Sequence, residues 1–228
     1  MASGRTRWPF EAAAPDGGQR MIWLPRPLVR LAFELLYGPL APCYDWVSRT
    51  FFLGQWAHWQ QAALAFVEGR VLEIGSGTGA LQLVAVEQGR DWVAVERSAQ
   101  MIRQARRRFR RAGAAAGLVR GEAAALPIQT ARVDGVVSTF PTEYIFAEAV
   151  HQEIARVLRP GGVAVVVLAG ALRPTGPLGA VLDQLHHLVV GDAPALEGFP
   201  RSTGLTWTAR WIPSPQGKAL VLIGKRMP

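Results

Sequence analysis

The sequence predicts an α/β fold: a doubly wound, mostly parallel seven-stranded sheet with a C-terminal antiparallel hairpin and an N-terminal helical cap. Three observations carry this reading. From Arg70 onward, short apolar runs alternate with amphipathic stretches, the pattern of strands covered on both faces by helices. The first run ends in Gly75-Ser76-Gly77-Thr78-Gly79, glycines leaving a strand and entering a helix. The last two runs flank Pro213-Ser214-Pro215-Gln216-Gly217, a turn cluster between neighbouring strands.

The elements follow in order. Residues 1–20, rich in Ala, Gly, Pro and charge, read as a loose tail. Residues 21–66 read as a helical cap or substrate lid. Within it, Arg26–Tyr37 is a helix whose polar stripe holds Arg26, Arg30 and Glu34. Gly38-Pro39-Leu40-Ala41-Pro42 breaks it, and Tyr44–Phe66 is a second, aromatic-rich helical stretch. Residues 67–228 form the core, with strands expected at Arg70–Ile74, Asp91–Val95, Gly117–Gly121, Val133–Thr139, Val163–Ala169, Leu205–Ile212 and Ala219–Lys225. Helices are expected at Ala80–Gln88, Ser98–Arg111, Ala147–Leu158 and near Pro177–Val190. On the second of these, Met101, Ile102, Ala105 and Phe109 make the apolar face.

Composition bounds the function. Half of the 228 residues are apolar and 18% are charged, as in a globular chain with a large core. No apolar run reaches the ~20 residues that span a bilayer, and the charged first twenty residues lack the features of a signal peptide. The single cysteine, Cys43, fits a reducing cytoplasm. The net charge of +8 rests on 23 arginines and only two lysines, a skew that reads as codon usage as much as selection for a polyanion. No nucleic-acid module accompanies the charge, so nucleic acid is not favoured as a substrate. Arg103, Arg106, Arg107, Arg108, Arg110 and Arg111 read first as a solvated helix face. His151, His186 and His187 lack partners at metal-ligand spacing, and no metal site is expected. Ser76 is not set in the Gly-x-Ser-x-Gly turn of a hydrolase nucleophile.

The chemistry concentrates in Val71-Leu72-Glu73-Ile74-Gly75-Ser76-Gly77-Thr78-Gly79. Glu73 stands two residues before the first glycine, where dinucleotide fingerprints usually place an apolar residue. A carboxylate at that strand tip can meet the ammonium end of an amino-acid-bearing cofactor. Glu96 ends the next strand, 17 residues beyond Gly79, where an acceptor-only side chain can take both hydroxyls of a ribose.

Three further segments carry a family resemblance. Glu96-Arg97-Ser98-Ala99-Gln100-Met101, Gly121-Glu122-Ala123-Ala124-Ala125-Leu126-Pro127 and Glu153-Ile154-Ala155-Arg156-Val157-Leu158-Arg159-Pro160-Gly161-Gly162 follow the glycine segment in order. Together the four resemble the signature of the class I, Rossmann-like S-adenosylmethionine-dependent methyltransferases of the type 11 family, over residues 71–169. The resemblance implies S-adenosyl-L-methionine as cofactor. It implies Gly75, Gly77 and Gly79 along its methionine and ribose portion, Glu73 near its amino group and Glu96 at its ribose, with Ser76 and Arg97 also among the cofactor-binding residues. Glu122 and Ala123 would meet the adenine edge, with Glu at 122 where the family usually has Asp. Ser138, Thr139 and Phe140 would border the transferred methyl.

The acceptor must be chosen outside this core. Tyr44-Asp45-Trp46-Val47 and Phe51-Phe52-Leu53-Gly54-Gln55-Trp56-Ala57-His58-Trp59 resemble the N-terminal region of quinone-biosynthesis C-methyltransferases and bacterial phospholipid N-methyltransferases. That resemblance and the aromatic density suit a small lipophilic acceptor, quinol-like or lipid. The narrow polar stripe of Arg26–Tyr37 beside these aromatics, with the net positive charge, is the ground for expecting peripheral contact at the inner membrane face. Tyr44, His58 and Glu143 are the candidate bases for an acceptor that needs one. Two alternatives remain at this point: a non-catalytic binding protein on the same fold, and a nicotinamide-dependent oxidoreductase. The retained carboxylates disfavour the first; Glu73 and the Arg-Pro-Gly-Gly segment disfavour the second.

Overall fold

The computed structural model describes residues 55–172 and 204–227. The expected helix Arg26–Tyr37, residues 1–54 generally and the helix near Pro177–Val190 lie outside them. Seven strands form one sheet: β1 (Val71–Ile74), β2 (Trp92–Glu96), β3 (Leu118–Arg120), β4 (Val133–Thr139), β5 (Leu158–Leu172), β6 (Leu205–Ser214) and β7 (Gly217–Arg226). Their order is β3-β2-β1-β4-β5-β7-β6. The first five run parallel, β7 runs antiparallel to β5, and β6 returns antiparallel to β7. The doubly wound sheet and closing hairpin are those the sequence predicts.

Among the described residues the α-helices are α1 (Gln55–Gln61), α2 (Ala80–Glu87), α3 (Ala99–Ala112) and α4 (Glu148–Val157). None is long and apolar enough to cross a membrane. Strand alternation divides the core. Val165 and Val167 of β5 join Trp59, Leu64, Leu81 and Trp92 on one face, while Ala164, Val166 and Leu168 join Ile145, Val150 and Ile154 on the other.

Local chemistry sets the element ends. Ser98 caps α3 by accepting the Met101 N–H at 3.3 Å, and Gly113 closes it at φ +66°, satisfying N–H and carbonyl groups the helix leaves open. α3 buries the expected Met101, Ile102, Ala105 and Phe109. Gly79 lets α3 approach: a Cβ there would stand 3.1 Å from Ala105 and 3.3 Å from Phe109.

Two boundaries differ from expectation in ways that local chemistry explains. The stretch expected as a helix through Phe66 tightens after Gln61 into a 3₁₀ turn, Ala62–Phe66. The carbonyls of Leu64 and Val67, left without helical partners, accept from the Arg90 guanidinium at 3.0 Å each. β5 begins at Leu158 rather than Val163. Leu158 pairs with Val133, and a bulge carrying Gly161 at φ +77° restores the ladder at Gly135 and Val163.

Candidate functional site

The strands β1, β2 and β4 end side by side, and the residues singled out from the sequence gather at those tips. Gly75, Gly77 and Gly79 all have positive φ, at 73°, 56° and 72°. A Cβ on Gly77 would meet nothing within 4 Å, so the main chain there is open to an approaching group. Glu96 is buried at the tip of β2 and spans the turn. One carboxylate oxygen accepts the Gly77 N–H at 2.9 Å and the other the Ser98 N–H at 2.7 Å. It therefore ties the glycine loop to the start of α3, and each oxygen keeps a further lone pair for a ligand donor.

Glu73 lies beneath the loop, 1% exposed. The Trp92 indole N–H donates to its Oε2 at 2.9 Å, and Oε1 has no hydrogen-bond partner. Burial pushes its carboxyl up to about 7, against the lowering effect of the Trp92 bond and with a smaller push from Glu96. The Ser76 hydroxyl is buried without a partner as well. Orphaned polar atoms beside open main chain are what a polar ligand at this loop would satisfy. An acidic group with an unused oxygen below, a carboxylate at the β2 tip and unobstructed N–H groups fit an amino-acid-bearing nucleoside such as S-adenosylmethionine.

The β4 tip adds polar and aromatic groups. The Ser138 hydroxyl donates to the Ile74 carbonyl at 2.9 Å and lies 2.9 Å from the Tyr144 hydroxyl. Tyr144 leans over the loop, where a Cβ on Gly75 would stand 2.7 Å from its oxygen. Thr139 is buried and accepts from Gln60 Nε2 at 3.2 Å. Phe140, at φ +49°, stacks on Trp56 of α1 with centroids 3.9 Å apart. A non-glycine residue held in the left-handed region costs about 1–2 kcal/mol, which the packing around it must offset. The part of the expected cap within view is thus fastened to the β4 tip.

The remaining expected residues are more dispersed. Arg97 and Glu122 are exposed and Ala123 is half-buried, just past the β2 and β3 tips. His58 on α1 and Glu143 in the 3₁₀ turn Glu143–Phe146 are exposed, and Tyr44 lies outside the described residues. Sequence reasoning passed over Tyr144 in favour of its neighbour Glu143. It also passed over Arg108, which leaves the solvated arginine face and donates to the Thr78 carbonyl and hydroxyl at 2.6 Å. An arginine on the flank nearest the glycine turn was the available signal. Among the described residues no three His, Cys, Asp or Glu side chains gather as metal ligands.

Residues 71–162 match the family model described as a methyltransferase domain. A demethylmenaquinone methyltransferase from Deinococcus radiodurans is 32% identical over 75% of this chain and 77% of its own length. A ubiquinone/menaquinone biosynthesis C-methyltransferase from Syntrophotalea carbinolica is 30% identical over 66% of each, so this chain spans just under two thirds of that relative. Among solved structures, a S-adenosylmethionine-dependent methyltransferase from Thermotoga maritima matches with a TM-score of 0.55 at 19% identity, over 85% of this chain and 98% of its own. Geranyl diphosphate C-methyltransferase from Streptomyces coelicolor matches at 0.53 and 14%, over 75% and 78%. These two speak for the fold. With the glycine loop and its two carboxylates, the 32% relative places this chain in the class I S-adenosylmethionine-dependent methyltransferase family.

Proposed function

We propose that the protein transfers the methyl group of S-adenosylmethionine to a small lipophilic acceptor, quinol-like or lipid. The observation that carries the donor half is the loop itself: Glu96 ties Gly77 to Ser98 while Glu73 and Ser76 keep buried polar atoms without partners. Bound there, the cofactor supplies an electrophilic sulfonium methyl. Glu96 holds the ribose, Glu73 faces the ammonium, and Gly75, Ser76, Gly77 and Gly79 lie along the chain between. Arg97, Glu122 and Ala123 border the adenosine, and Ser138 borders the methyl with Tyr144 beside it. The protein's contribution is placement, since holding donor and acceptor at ~3–3.5 Å supplies much of the rate of an in-line displacement.

Two things support the acceptor half. The half-buried Trp56 and Phe140, stacked on each other, give the β4 tip an aromatic surface suited to an apolar ring or chain. The relatives quoted above are named for quinone methylation. The test pairs calorimetry with turnover. Micromolar binding of S-adenosylmethionine without binding of NADH is expected, as is label transfer from methyl-labelled cofactor to a demethylated long-chain quinol in preference to small polar acceptors. NADH binding alone would make the chain an oxidoreductase. Cofactor binding without transfer to any acceptor class would make it a binding protein.

A further inference from the structure

We infer that the outer face of α3 is a docking surface for anionic lipid bilayers. Six of the fourteen residues of α3 are arginines and none is acidic. Arg103, Arg106, Arg107 and Arg110 recur at three- and four-residue spacing, on the side opposite the buried Met101, Ile102, Ala105 and Phe109. These four and Arg111 are exposed, and none forms a hydrogen bond or ion pair with any described residue. Arg108 behaves differently, turning to the glycine turn.

Like charges one turn apart repel, so the stripe weakens its own helix unless something outside neutralises it. The outside group must be anionic and present more than one charge. The shape of the face narrows it further. The four arginines rim a groove of about 460 Å³ walled also by Phe109, Ala114 and Ala116, so apolar surface lies between the guanidinium groups. A bilayer interface offers phosphates at lateral spacing with glycerol and acyl carbon beneath them. A single-stranded nucleic acid would call for exposed aromatic platforms, and the lining has none: Phe109 is 1% exposed. Because the residue capping α3 is Ser98, whose N–H Glu96 holds, a docked α3 has its first turn at the cofactor loop.

Flotation of the full chain with vesicles tests this, independently of any methyl acceptor. Association is expected with phosphatidylcholine vesicles holding about 30% phosphatidylglycerol, fading as salt rises from about 0.05 M to 0.5 M. Neutral phosphatidylcholine vesicles should retain little protein. Replacing Arg103, Arg106, Arg107 and Arg110 by Gln should lower partitioning on the order of a thousandfold, with S-adenosylmethionine affinity by calorimetry unchanged. If that variant does not fold, Arg106→Gln with Arg110→Gln should give roughly a thirtyfold loss. Equal flotation of wild type and folded variant overturns the inference, as does equal binding to neutral vesicles or none to anionic ones. Preferential capture by a single-stranded or duplex oligonucleotide at the same salt overturns it too.

Discussion

The two ends of the parallel strands are built on opposite terms. At their C-terminal tips, polar groups are buried and incompletely satisfied: Glu73 with one bare oxygen, Ser76 without a partner, Phe140 in a strained conformation. At their N-terminal ends, charges are exposed and matched. Arg70 bonds Asp91 at 2.8 Å, Arg159 bonds Asp134 at 2.6 Å, and Asp134 also accepts the Arg70 N–H. A cleft of about 600 Å³ opens at this second end. Unsatisfied polarity points to the other as the candidate site, because unmatched buried groups cost stability and persist where a ligand completes them.

A pair of glycines breaks or sharpens this contrast most directly. Gly75 at the tips and Gly89 at the opposite end have nearly the same φ, +73° and +74°. A Cβ at Gly75 meets the Tyr144 hydroxyl at 2.7 Å, whereas one at Gly89 meets nothing within 4 Å. Gly75→Val should destabilise by roughly 2–4 kcal/mol, combining left-handed strain with overpacking, and should abolish cofactor binding. Gly89→Val should cost about 1–2 kcal/mol of strain alone and leave the cofactor Kd unchanged. Urea melts and calorimetry on both variants decide. Equal losses of cofactor binding would mean that the ends are not distinct.

Glu73 gives the next effect, through pH. Its folded pKa of about 7 exceeds the ordinary 4.5, so between those values the folded state holds a proton the unfolded state has released. Stability therefore falls as pH rises through that window, by at most about 3 kcal/mol, and levels off above it. Glu73→Gln should remove the slope and be the more stable protein at pH 8. A cofactor ammonium beside the ionised carboxylate should flatten the slope in the wild type, so melts with and without saturating S-adenosylmethionine test that placement. Identical pH profiles for wild type and Glu73→Gln would show that the carboxyl is not perturbed.

Glu96→Ala should weaken cofactor binding by roughly 1.5–3 kcal/mol, the scale of hydrogen bonds to a charged group. It should also lower the melting temperature, since the Gly77 and Ser98 N–H groups lose their acceptor. The sequence alone points to a ligand role and an intact fold; the structure adds the second job. Unchanged cofactor affinity in the folded variant would take Glu96 out of the ribose site.

What the sequence disclosed and what it hid divide along chain distance. Glu73, the three glycines and Glu96 belong to successive strand–turn units, so spacing alone brings them to neighbouring tips. Met101, Ile102, Ala105 and Phe109 as a buried face follow from helical period. Tyr144 meets Ile74 across 70 residues, and Arg108 meets Thr78 across 30. No local period aims those side chains, and a short 3₁₀ turn decides whether Glu143 or Tyr144 faces inward. The stack of Trp56 on Phe140 joins α1 to a strand tip in the same way.

The smallest effect belongs to the matched end. The Arg70 N–H and the Arg159 guanidinium hold Asp134 below its ordinary pKa. A depressed carboxylate adds stability above its unfolded pKa of about 3.8 and loses it as pH falls below that. The side chains of Asp134 and Arg159 are 36% and 47% exposed, so water screens the pair and its worth is below about 1 kcal/mol. Asp134→Asn keeps an acceptor for the Arg70 N–H and removes only the charge. It should cost about 0.5 kcal/mol at neutral pH, shrinking toward nothing in acid, with S-adenosylmethionine affinity untouched. Urea melts across about pH 3–7 read the first part and calorimetry the second. A several-fold loss of cofactor affinity would mean that β4 couples its two ends, and the division of labour along the strands would fail.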